Sequence, residues 1–191
     1  MVRSYPDDPV DRALIRSLIS TARRGPSAGH TAALAVRVRD APATVGRDWE
    51  VTVRAEQRNA VRGQGLLAAP VLIGPCCSAL AYVERYAEPD KAGSDLGRDT
   101  SAWSVPYWYV DGGAAVMLLL LAATDAGLGA LFFGQFGHTG AVKDAFAIPD
   151  RYEPLGTIAV GHPAPEPTAG RSAGRPRRAL DEVIHRGSWS D

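Results

Sequence analysis

The sequence predicts an α+β domain, a three-layer arrangement with a small sheet between helices, and three observations lead there. Short apolar runs at 33–38, 69–74, 128–133 and 155–161 read as strands, and helical segments alternate with them. Residues 114–123 form a ten-residue, nearly uncharged apolar run, and a helix apolar on every side must be buried on every side. Ten residues are too few to cross a bilayer, so this burial is against protein, at the centre of one core and in a subunit interface. The third observation is length: 191 residues suit one domain, 1–191, with core enough to stand without disulfide or metal staples.

In chain order, Asp8-Pro9 opens the first helix as cap and first helical residue. Val10, Leu14, Leu18 and Ala22 recur every four residues, with Ile15 and Ile19 widening the stripe. Arg23-Arg24-Gly25-Pro26 ends it, with basic residues at the negative pole and then two breakers. Ser27-Ala28-Gly29-His30-Thr31 is a loop of small residues before the strand at 33–38. It is either an ordinary connection or a place where a flat ligand or another backbone comes close. Residues 41–67 read as mostly helix, although Val51-Thr52-Val53 would also suit a strand. The run at 69–74 is a buried strand by its continuous β-branched character, and a short helix follows at 78–86.

Residues 87–109 form a long irregular segment that mixes charge with Trp103, Tyr107, Trp108 and Tyr109. Segments this long inside a domain are lids, binding loops or disorder, and the aromatics argue against disorder. It reads either as a lid over a planar ligand or as a plug in a dimer interface. Asp111 is placed to cap the buried helix, and Gly127 to stop it in the left-handed conformation. A short helix at 139–146 precedes the last strand. The Pro- and Gly-rich stretch 163–191 lacks a core of its own and reads as a tail that wraps a partner subunit or frays.

Charge is balanced, with 21 basic and 21 acidic residues, so no global field points to nucleic acid or an anionic membrane. The only cysteines, Cys76 and Cys77, are adjacent and make no disulfide framework; they read as small residues at a strand end in a reducing cytoplasm. With no signal pattern and no apolar run of membrane-spanning length, a soluble cytoplasmic protein is expected. The four histidines show no metal-ligand spacing, and no nucleophile elbow, dinucleotide glycine fingerprint or P-loop is present. An enzyme so furnished works if a cofactor carries its reaction.

Three segments resemble the FMN-dependent nitroreductase family: Arg23-Arg24-Gly25-Pro26-Ser27-Ala28-Gly29, then residues 112–136, then Ile148-Pro149 through Pro163. The family's patterns are a helix ending in A-R-x-A-P-S-A-G-N, a buried helix running into G-L-G-x-x-x-x-G, and I-P-x-x-x-x-P-x-x-x-x-x-x-G-x-P. Their order and spacing agree over nearly the whole chain, and 177–185 is similar to the family's C-terminal tail. The resemblance implies an α/β/α sandwich with a small mixed sheet, in an intertwined homodimer with two FMN sites at the subunit interface. It implies ping-pong transfer from NADPH or NADH through FMN to a nitroaromatic, quinone-like or other oxidised small molecule. Alternatives with the same cofactor are an oxidase of a natural-product intermediate and a protein that only sequesters flavin; a helical dimerisation module without flavin is a further one.

By the same resemblance, Pro26, Ser27, Ala28, Gly29 and His30 lie beside the isoalloxazine ring. Phe133, Gly134 and Gln135 form the corner whose backbone amide faces its reactive N5. Arg3, with Arg177 or Arg178, holds the phosphate. Gln64 and Arg62 are candidates for a mid-chain ring contact, and Trp103, Tyr107 and Trp108 for the substrate lid. Two departures stand out. The first two arginines of the N-terminal R-R-S-x-R pattern have no counterpart, so either the start is misassigned or phosphate binding is weaker by a few kcal/mol. The usual N-x-Q-P-W reads His30-Thr31-Ala32-Ala33-Leu34, which removes the amide side chains that frame flavin or substrate.

Overall fold

The computed structural model describes residues 1–58, 65–165, 170 and 173–189. Helix α1 (Arg12–Ala22) begins three residues after the expected proline, because Asp11 is the residue whose carboxylate accepts the Ala13 N–H, at 2.8 Å. Strand β1 (Ala35–Arg39) leads into α2 (Pro42–Thr52), so Val51 and Thr52 are helical. Strand β2 (Val71–Cys77) is buried along its whole length and runs on to the two cysteines, beyond the expected end at Gly74. Then follow α3 (Ala79–Tyr86), α4 (Tyr107–Asp125), β3 (Gly129–Phe133), α5 (Thr139–Ala145), β4 (Glu153–Pro154) and β5 (Thr157–Gly161).

The strands lie in the order β1-β2-β5-β3, with β4 pairing the far end of β2. Every pairing among the described strands is antiparallel, where a mixed sheet was expected. The register sets Arg37 opposite Gly74, Val71 opposite Val160 and Leu131 opposite Ala159. Alternation along the strands then splits the core. Val71, Ile73, Ile158 and Val160 pack with Ile15, Leu18 and Ala22 of α1 and with Val116, Leu119 and Ala123 of α4. On the opposite face Leu72 and Ala159 meet Tyr5 and, from α2, Val45 and Trp49. Leu72, Ile73, Leu119 and Ile158 are at most 1% exposed, each stabilising the fold by roughly 1.5–3 kcal/mol. Helices on both faces give the three layers expected.

Helix α4 departs from expectation in three ways. It starts at Tyr107, so it is 19 residues long rather than ten, and by length and composition alone it would be able to cross a membrane. Core helices of folded domains share that property, and α4 packs against α1, β2 and β3. Asp111 is not its cap but lies one turn inside it. Nor is it buried all round within one chain: Tyr109, Val110, Met117 and Leu121 are about half exposed. Its end is as read, with Gly127 at φ 72°.

The segment 87–109 is less irregular than expected, and its last three residues, 107–109, open α4. Its first part is tied into short 3₁₀ turns at Pro89–Ser94 and Thr100–Ala102. Trp103 and Trp108 are buried with Tyr82 and Cys77 in a third apolar cluster. Edge-to-face contacts join Trp103 to Tyr82 (5.7 Å), Tyr86 (4.8 Å) and Trp108 (6.0 Å), and the Trp103 Nε1–H donates to the Leu96 carbonyl at 3.0 Å.

Candidate functional site

The C-terminus of α1 is followed by Pro26, which cannot continue a helix, and the chain turns through Ser27 into a short 3₁₀ segment, Ala28–His30. This loop is held from three sides. The Asp111 carboxylate Oδ2 accepts both the Ala28 N–H (2.8 Å) and the Tyr82 O–H (2.7 Å), tying loop, α3 and α4 together. The Arg85 Nε–H donates to the Gly29 carbonyl at 2.9 Å, and the Ser27 hydroxyl accepts the Ala32 N–H at 3.0 Å. Burial, and next the hydrogen bond to Asp111, push the Tyr82 phenol well above its ordinary value, so it stays the donor.

Gly29 lies at φ 62°, and a Cβ there would come within 2.7 Å of the Tyr86 ring. His30 at φ 55° and Ala32 at φ 50° occupy the same left-handed region without glycine's freedom. Strain of this kind persists where the surroundings over-determine the backbone, as the three tethers do here.

The loop opens on a cavity of about 580 Å³, within the usual range for small-molecule sites. Arg23, Arg24, Pro26, Ser27, His30 and Ala32–Leu34 form one side; Cys77, Tyr82, Trp108, Asp111, Gly112 and Ala115 form the other. The pocket thus joins a basic rim to an aromatic and small-residue wall. Burial raises the Cys77 thiol to about 12, with neighbouring Cys76 and Glu153 adding to it, so it is neutral and no nucleophile at ordinary pH.

The other expected residues stand apart from this cavity. Phe133 ends β3 and stacks on Trp49 at 5.4 Å and 16°. A Cβ on Gly134 would come within 2.7 Å of the Phe136 ring, which is itself 91% exposed. Gln135 turns inward, and its Nε2 donates to the buried Thr157 hydroxyl at 2.7 Å, so its side chain braces the sheet. Arg3 reaches the start of the tail, where its guanidinium lies against Gly170. Arg177 and Arg178 are exposed, and the Arg178 guanidinium is turned back to the Glu182 carboxylate (3.3 Å) and carbonyl. Gln64 and Arg62 lie outside the described residues. Within one chain, then, the Pro26–His30 side and the Phe133–Gln135 side belong to different clusters.

A family model for the nitroreductase family matches residues 1–162. The chain belongs to the nitroreductase family. Membership makes it an oxidoreductase by descent. Among nitroreductase relatives is a Methanothermobacter thermautotrophicus protein named as an NADH dehydrogenase/NAD(P)H nitroreductase. It is 28% identical over 170 residues, covering 87% of this chain and 74% of that one. A nitroreductase family protein from Streptococcus pneumoniae superposes with a TM-score of 0.72 at 19% identity, over 97% of this chain and 94% of its own. Another from Clostridium difficile gives 0.69 at 16%, over 98% and 93%. At such identity the two structures speak for the fold alone, and they cover this chain almost end to end.

Asp111, Tyr82, Cys77 and the pair Arg23 and Arg24 are the site residues that sequence reading did not assign. Asp111 was visible only as a helix cap, and its two partners are distant in the chain. Tyr82 lies within the short helix read at 78–86, where nothing local singles it out.

Proposed function

We propose that this nitroreductase family member binds FMN and passes reducing equivalents from NADPH or NADH to an oxidised small molecule, a nitroaromatic or a quinone. The observation that carries this reading is the strained, triply tethered Pro26–His30 loop on a cavity of about 580 Å³. A flat ring fits beside such a loop, because small residues leave its backbone open and the tethers keep it from collapsing.

When bound, FMN supplies the hydride and electron chemistry for which the chain has no side-chain machinery. The chain's own groups bind and orient. Pro26 to His30 and the Gly134 corner are the groups that would hold the ring. Asp111 and Tyr82 fix the loop. Arg3, with Arg177 or Arg178, would neutralise the phosphate by charge-assisted hydrogen bonds. Because these groups fall into two separate regions of one chain, the complete site is built by two copies. The exposed Tyr109, Val110, Met117 and Leu121 on α4 and the apolar tail residues Leu180, Val183 and Ile184 supply surface for that pairing.

The test is a titration of the purified protein with FMN, followed by flavin fluorescence and by light scattering of the product. The expected result is one FMN per chain on a particle of two chains. Saturable binding to a monomer would contradict the shared site, and no binding would contradict the cofactor.

A further inference from the structure

The cavity beside the Pro26–His30 loop is electrically polarised. Arg23 and Arg24 stand on one side of it, exposed at the end of α1, and Asp111 is the one carboxylate on the other. Basic residues at a helix C-terminus commonly serve the helix itself, by donating to its last carbonyls or offsetting its negative pole. Here the carbonyls of Ile19, Thr21 and Ala22 are already taken by the backbone N–H groups of Arg23, Arg24 and Gly25. Arg12, Arg85 and Arg151 each hold a carboxylate at 2.7 Å, whereas among the described residues neither Arg23 nor Arg24 makes an ion pair or donates a side-chain hydrogen bond. Two cations with open donors therefore line the cavity.

Asp111 is only half used. Its Oδ2 accepts the Ala28 N–H and the Tyr82 O–H, while Oδ1 takes no hydrogen bond from the described residues and is not sealed off by them. A carboxylate oxygen on a cavity wall with open lone pairs accepts from a ligand N–H or O–H. It also repels an anion, which drives an anionic ligand group to the arginine side. The neutral Cys77 thiol adds no charge between them. Pro26, Tyr82, Trp108, Gly112 and Ala115 complete the lining with apolar faces and small residues that suit a flat body.

We propose that this cavity takes a planar small molecule bearing an anionic group, a carboxylate or a phosphate, which Arg23 and Arg24 bind, and an N–H or O–H donor at its other end, which Asp111 Oδ1 accepts. As the oxidised substrate of the proposed reaction, the ligand is an aromatic acid. The nicotinamide mononucleotide half of the electron donor carries the same chemistry, with its carboxamide for Asp111 and its phosphate for the arginines. The ligand's part in the reaction rests on the flavin reading; its binding site rests on the cavity alone.

The test is isothermal titration calorimetry of the FMN-loaded protein with para-hydroxybenzoate and, in a second arm, nicotinamide mononucleotide. The expected result is saturable binding of at least one probe, and the tighter of the two identifies the source. Removing the anion from that probe (para-hydroxybenzyl alcohol, nicotinamide riboside) should weaken it about tenfold, and removing the donor (benzoate, nicotinic acid mononucleotide) should do the same. Arg23→Gln combined with Arg24→Gln should weaken the anionic probe about tenfold and leave its neutral counterpart unchanged, a split that a merely structural role would not produce. No saturable binding of either probe, or equal affinity for the anionic and neutral forms, would overturn the proposal without recourse to the variant. Binding confined to flavin-free protein and displaced by FMN would overturn it too, because the arginines would then belong to the cofactor. A protein that takes no FMN defeats the flavin reading instead, and the same titrations on the flavin-free protein then decide the site.

Discussion

Asp111 connects three elements through one carboxylate oxygen, which sets a clear expectation for its removal. Asp111→Ala leaves the Ala28 N–H and the Tyr82 O–H without their acceptor, so urea unfolding should show a loss of about 2–4 kcal/mol. Tyr82→Phe deletes only one of the two bonds and should lose roughly 1.5–3 kcal/mol. The sequence showed Asp111 before an apolar run, which is what a cap looks like; its partner Ala28 lies 83 positions away, and no local pattern carries that. Gly29 was more legible, because a glycine between a helix stop and a strand invites a left-handed turn. Gly29→Ala should destabilise by about 1–2 kcal/mol from backbone strain alone, with displacement of the Tyr86 ring added. Buried titrating groups set the alkaline limit. The Cys77 thiol is raised from 9.0 to about 12, so its contribution is complete below pH 9 and is lost as pH rises towards 12. Tyr5 and Tyr82, both raised above 10.0, act in the same direction from about pH 10. Tm measured from pH 8 to 11 should therefore fall, and less steeply in Cys77→Ala; a flat profile would contradict the burial of these groups.

Among the elements, strands and their order were readable because their apolar runs are short, β-branched and punctuated by Gly and Pro. Boundaries were not, since the Asp11 cap and the extension of β2 to Cys77 depend on side-chain partners and on pairing with β4. Segment 87–109 was left between two readings for a physical reason: aromatics clustered in a polar stretch mark a ligand lid, an interface plug or a small packed cluster alike. Here Trp103 and Trp108 pack on Tyr82 and leave only Tyr107 and Tyr109 substantially exposed. Helix α4 is apolar on more sides than one chain covers, and this is where an element predicts an assembly. Met117 and Leu121 stand one turn apart and more than half exposed, so Leu121→Arg should leave the fold of the single chain intact. In light scattering it should shift the particle from two copies to one, and flavin should be lost with the partner. A dimer that survives the charge would place the interface elsewhere.

For the molecule as a whole, membership of the nitroreductase family, the three-layer fold and the tethered loop converge on one account. In the function proposed, the scaffold would present a flat-ring site on one side and its complement on the other, and two copies would join them. The fold was legible because periodicity and breakers suffice for it. Motif resemblance singled out the Pro26–His30 loop but not its tethers, since Asp111 and Arg85 reach it from far along the chain. The central claim is that the chain holds a flavin reducible by a nicotinamide cofactor. The measurement that tests it most directly is the visible absorption spectrum of the FMN-loaded protein under anaerobic conditions, before and after adding NADPH or NADH. Loss of the flavin bands on addition of either donor is the result expected. Bands that persist with both donors, in protein shown to bind FMN, would contradict it.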